Sequence, residues 1–189
     1  LTSYNKDSMS PSWPLSKCGA SHGGLGGWCQ ATGRNTTLMG PTFDSTEWPV
    51  LPGPGGHSDY VNGNNVYYGQ RGAGVVRLFI AGDAVMDGSL QAKATAQSNF
   101  TGGGAGGSVL LSCHKLTGSG TFSARGADGY VYSPDEGKSS SHHGGAGGGG
   151  RIAVHYDTEA QPALLTFTFI TSGGKGHCNG LYTGNGKHG

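Results

Sequence analysis

Four cysteines, eight histidines and eleven acidic side chains are the residues of this 189-residue chain best suited to metal binding, redox or acid–base chemistry. Cys113-His114 and His177-Cys178 are adjacent pairs of zinc-ligand types. Zinc motifs space their ligands so that they converge, whereas neighbours on a strand point to opposite faces. His142-His143 lies in a Ser/Gly stretch and reads as solvated. An even cysteine number in a chain poor in Lys and Glu reads better as disulfides in an oxidising compartment. Three pairings of Cys18, Cys29, Cys113 and Cys178 are open. Cys18 and Cys29 are close enough in sequence to bridge a loop, which would leave Cys113 for Cys178 or for a neighbouring chain. Two N-glycosylation sequons, at Asn35 and Asn99, agree with an extracellular or cell-surface location.

Nucleophilic chemistry finds no setting. Gly118-Ser119-Gly120 lacks the strand–elbow–helix context of a nucleophile elbow, and the Gly runs lack both the Gly-Lys-Ser/Thr and the helix of a phosphate loop. A carbohydrate-cleaving site would need facing acids, or carboxylates around a cation. The candidates Asp83, Asp87, Asp128, Asp135 and Glu136 include Asp87 and Asp128, which sit beside glycine and suit turns. Asp83, Asp87 and Asp128 are the candidate calcium ligands, without a full ligand motif. No catalytic residue is assigned, and no cofactor apart from that calcium.

The elements that would position these residues follow from composition. The formal net charge is +1, with no basic block of the kind a nucleic-acid surface needs, and no apolar run is long enough to cross a membrane. The chain opens on Leu1, so the expectation is that a targeting segment was removed or lies upstream. There are 39 glycines, about three times the usual share. They come in clusters between apolar runs, without collagen's every-third-residue period.

Residues 1–20 read as a connecting arm and 21–189 as one domain. Residues 21–70 are loop-rich, with Pro41, Pro49, Pro52 and Pro54 and the aromatics Trp28, Phe43, Trp48, Tyr60, Tyr67 and Tyr68 covering one end of a small core. Beyond them an internal repeat emerges. Arg71–Ala94 lies on Gly103–Gly126 at an offset of 32, which sets Leu78 on Leu110, and a partial third copy starts at Gly144. The units span about 71–101, 102–143 and 144–176. Strands are predicted at Val75–Ala81, Ala84–Ala94, Ser108–His114, Gly120–Arg125, Arg151–Tyr156 and Leu164–Ile170. So short a unit cannot bury its own face, and copies must stack. The expected fold is all-β, a glycine-rich β-solenoid-like stack of short strands in which glycine segments pack side by side as in polyproline-II-type bundles. The alternative is a β-sandwich or jelly roll with glycine-rich insertions.

The ordered succession Gly19-Ala20-Ser21-His22-Gly23-Gly24-Leu25-Gly26-Gly27, Ala81-Gly82-Asp83-Ala84-Val85-Met86-Asp87-Gly88-Ser89-Leu90, Gly102-Gly103-Gly104-Ala105-Gly106-Gly107-Ser108-Val109, Leu116-Thr117-Gly118-Ser119-Gly120-Thr121-Phe122-Ser123-Ala124-Arg125-Gly126 and Gly145-Ala146-Gly147-Gly148-Gly149-Gly150-Arg151-Ile152-Ala153-Val154 resembles a glycine-rich repeat module. That module occurs in very large predicted cell-surface proteins of algae, plants, protists and bacteria, and the resemblance covers roughly residues 19–186. A weaker similarity is to the glycine-rich ectodomains of certain receptor tyrosine kinases, from which this chain departs by its shorter Gly runs and clearer strand repeat. The first resemblance implies a surface or matrix role in long modular proteins and supplies no catalytic residues. The expected function is therefore a structural module of an extracellular fibre, coat or matrix, partnered by copies of itself or by neighbouring modules. A carbohydrate- or surface-binding adhesin, with glycans as partners, and a polysaccharide-cleaving enzyme are the alternatives.

Overall fold

The computed structural model describes residues 18–27, 40–57, 61–62, 65–66, 68–96, 101–130, 144–161, 166–176 and 189. Trp13, Trp28, Cys29, Asn35, Tyr60, Tyr67, Asn99, Asp135, Glu136, His142, His143, His177 and Cys178 lie outside them, as does most of the expected arm. Ten strands and no helix occur among the described residues. In chain order they are β1 (Val61–Asn62), β2 (Asn65–Val66), β3 (Val75–Phe79), β4 (Ala84–Met86), β5 (Ser89–Gln91), β6 (Ser108–Ser112), β7 (Leu116–Gly118), β8 (Thr121–Ser123), β9 (Arg151–His155) and β10 (Thr168–Ile170).

β1 and β2 form an antiparallel hairpin inside the stretch expected to be loop. All other pairings are parallel and join one repeat to the next. The sheets run β3-β6-β9, β4-β7 and β10-β8-β5. Repeat two is the middle layer, and β6 and β8 have a partner on each edge. The expected strand at 84–94 is two strands, because Asp87-Gly88 turns the chain between them. β7 was not foreseen as a strand.

The repeat register differs from the sequence alignment in one place. β4 pairs with β7, and β5 with β8, at the expected offset of 32. Val75 pairs with Ser108, an offset of 33, so Leu78 meets Leu111 and not Leu110. Repeat two carries one extra glycine before its first strand and one residue fewer at the next corner. On a strand a one-residue slip exchanges the faces. Here it puts Val76, Val109 and Ile152 in one column facing the core, with Leu111 beside Val154. A second column runs through Leu90, Phe122 and Phe169, with the rings of Phe122 and Phe169 stacked at 5.2 Å. Phe122 and Leu116 are fully buried.

Leu110 faces the other way and is buried as well. The segment 41–51 covers that outer face, tied by Ser108 Oγ donating to Leu51 O (2.7 Å) and Arg151 Nε donating to Phe43 O (2.9 Å). This explains why Val109-Leu110-Leu111 is a continuous apolar run: β6 is buried on both faces.

The glycine clusters are the second half of the fold. Residues 101–107 and 144–150 are buried throughout. Gly102 and Ala105 donate to His57 O and Pro54 O, while Gly103 and Gly106 donate to Gly145 O and Gly148 O. Gly102 O and Ala105 O accept from Gln70 and Ala73, and Gly103 O accepts from Ala20. Each neighbouring segment is thus met every third residue, the period of a polyproline-II helix. Such close approach excludes side chains. A Cβ on Gly104 or Gly147 would fall within 3 Å of a neighbouring carbonyl. Ala105 and Ala146 fit, fully buried, where a methyl group has room.

Candidate functional site

The buried polar centre of the molecule joins both halves through residues that were not among the expected sites. Asp44 adopts a left-handed backbone (φ 72°), which Asp tolerates better than most residues. Its carboxylate accepts from the N–H groups of Ser45 (2.8 Å), Val50 (3.0 Å) and Leu51 (3.0 Å), and at 3.0 Å it shares with Leu51 O the single proton of Ser108 Oγ. His22 Nε2 lies 3.4 Å from the same oxygen that Ser108 addresses. His22 Nδ1 donates to Gly106 O at 2.7 Å, since a carbonyl can only accept. The His22 and Asp44 side chains are 0% and 3% exposed. Burial by itself would raise the pKa of Asp44. The hydrogen bonds from Leu51, Ser45, Val50 and Ser108 outweigh it and leave the carboxyl below its ordinary value.

Serine, histidine and aspartate therefore meet, but in the wrong order for nucleophilic catalysis. The carboxylate lies between the other two, so no imidazole nitrogen takes the Ser108 proton. As arranged, the cluster pins segment 41–51 and the 18–27 turn to the glycine bundle. The only local signal was the Asp44-Ser45-Thr46-Glu47 run, whose Ser45 Oγ accepts from Glu47 and Trp48 N–H as turn-forming serines do.

The candidate calcium ligands do not converge. Asp83 bonds His114 Nδ1 (2.8 Å), Asp87 accepts from Ser119 N–H (3.2 Å), and Asp128 holds Arg125 and accepts from Lys175 N–H (2.7 Å). His114 stands between Asp83 and Asp157, at 3.8 Å from the latter, on matching corners of the three repeats, with all three side chains about half exposed. No group of three His, Cys, Asp or Glu side chains able to hold a metal occurs among the described residues.

The disulfide expectation is corrected at Cys113, while Cys29 and Cys178 lie outside the described residues. No disulfide is seen among the described residues, and Cys113 has a free thiol. It ends the inward face of β6 and packs with Val109, Leu111 and Phe122 as a small apolar side chain. Its neighbour His114 points out to the surface, as strand alternation requires. Burial, and after it the charge of Asp83, push the Cys113 pKa up, which suppresses the thiolate that exchange chemistry requires. Cys18 is half-buried at the edge of the glycine bundle.

Two surface features remain. Trp48 is 47% exposed and stacks on His155 at 4.1 Å with the rings nearly parallel. The other is the outer layer formed by repeat one, where Leu78, Phe79, Ile80 and Val85 are all exposed. Comparison with known proteins gives no match: no family model fits the chain, and no curated protein or solved structure is similar to it. No helix among the described residues is long and apolar enough to cross a membrane.

Proposed function

We propose that this chain is a structural module of an extracellular or cell-surface fibre, coat or matrix, self-assembling or set among like modules in a longer precursor. Its fold is read as a β-solenoid-like stack of three coils. Parallel pairing of equivalent strands supports that reading over a sandwich or jelly roll, whose sheets are antiparallel. The observation that carries the functional reading is the segment 101–107. It is buried along its length and hydrogen-bonded through its backbone to neighbours on several sides. Such a bundle fixes the chain through its backbone hydrogen bonds and needs no large apolar core. The reading calls for no catalytic centre and no cofactor.

Antibodies against the purified chain test this on the source cells. The expected result is antigen on the cell exterior, in the fraction that detergent leaves insoluble. Antigen recovered in the soluble cytosol would overturn it.

An adhesin is the second reading, favoured by the exposed Trp48 face, because flat aromatic rings stack on sugars as they do on other planar or apolar surfaces. A glycan array bound by the wild type and lost in Trp48→Ala would support it; silence on the array counts against it.

A further inference from the structure

We infer that the outer edge of repeat one (β3 and β5, with β4 between them) is a docking surface for the opposite end of a second copy of this chain, so that copies add head to tail with the β3-β6-β9 and β5-β8-β10 ladders continuous. The inference rests on the structural-module reading and names its partner.

The two ends of the stack are unlike. At the repeat-three end, the position below β7 is occupied by a side chain: Gln161 donates from Nε2 to Leu116 O and accepts at Oε1 from Leu116 N–H, both at 3.0 Å. An amide side chain there stands in for a peptide group of the missing strand. At the repeat-one end, β4 has no such substitute among the described residues, and Val85 is 74% exposed. The contrast extends along β3. Leu78 is 37% exposed while its partner Leu111, one layer in, is 2% exposed. Apolar strands with a free edge are templates for pairing.

Register selects the occupant. Gly74 O and Ile80 N–H bond to β6, so residues 75, 77 and 79 direct their backbone groups away from it. On β9, Arg151 N–H donates to Gly107 O and His155 O accepts from Cys113 N–H, the two residues flanking β6, so residues 152 and 154 direct their backbone groups outward. An incoming β9 edge set against β3 therefore continues the existing ladder without a slip. Ile152 falls on Val76 and Val154 on Leu78, extending the column already formed by Val76, Val109 and Ile152. In the neighbouring sheet Phe169, 47% exposed at the repeat-three end, falls on Leu90. A contact between unlike ends does not close on itself and propagates as a filament. With about 4.8 Å per layer, three layers give a rise of roughly 14 Å per copy.

The test is sedimentation velocity of the full chain over rising concentration, with electron microscopy of the largest species. Wild type is expected to form filaments with that axial repeat. Arg77→Pro removes an outward N–H that β6 does not use, and Leu78→Lys sets a charge under the incoming strand. Each is expected to remain monomeric with an unchanged circular dichroism spectrum. Wild type that stays monomeric, or either folded variant assembling as wild type does, overturns the contact. So does growth into closed dimers, the mark of a symmetric contact. A surface antigen together with a monomeric purified chain defeats this contact alone, whereas a cytosolic antigen defeats the structural-module reading whatever the chain does in solution.

Discussion

Phe122 and Gly104 lie in adjoining parts of the middle layer and do opposite things. Phe122 stacks on Phe169 and closes the apolar column of the strands. Gly104 has no side chain, and Arg71 O occupies the space where one would begin. The strand half coheres through what its side chains fill, the glycine half through backbone hydrogen bonds that form only because side chains are missing. Glycine abundance is thus a packing device here, even though each glycine costs more backbone entropy than any other residue.

If that contrast is right, the strand half breaks when a side chain is removed and the glycine half when one is added. Phe122→Ala should lose about 4 kcal/mol of unfolding free energy, by transfer and cavity terms together. Gly104→Val should lose roughly 3 kcal/mol, because the clashing atoms are backbone and cannot swing away. Urea titration followed by tryptophan fluorescence reads both; a tolerated valine would show that the bundle is looser than its hydrogen bonds imply. Gly74 is the control. A Cβ there meets nothing within 4 Å, so Gly74→Ala should be neutral or gain about 0.5 kcal/mol through the unfolded chain.

The pin between the halves gives a pH signature. Asp44 is depressed in the folded protein, so its contribution is complete above the ordinary carboxylate value, about pH 4. It is lost as the pH falls below that and through the folded value. Asp44→Asn should cost about 2 kcal/mol at neutral pH and flatten this part of the acid-denaturation curve. An unchanged acid slope in the variant would place the titrating group elsewhere. The smallest loss expected is for Gln161→Leu, about 1 kcal/mol, with hydrogen exchange quickened at Leu116 N–H and little changed at Val109.

Some of this was readable in the residues. The Gly clusters at fixed distance before apolar runs implied stacking copies, and Val75–Phe79, Ser108–Ser112 and Arg151–His155 were found as strands. β7 escaped notice because Leu116-Thr117-Gly118 is too short for an alternating pattern. The Asp44 cluster escaped because His22, Asp44 and Ser108 are far apart in sequence and none sits in a spaced motif.

By itself, then, the sequence determined an all-β chain with repeats of about thirty residues and glycine where backbones must touch, since β-propensity, periodicity and the absence of a Cβ are local properties. Only the tertiary structure decided that the first strands pair one residue out of the apparent alignment, that Cys113 serves as a core side chain, and that one carboxylate joins strands to bundle. Those outcomes depend on which face of a strand is buried and on which distant groups meet, and neither is written in the neighbours of any single residue.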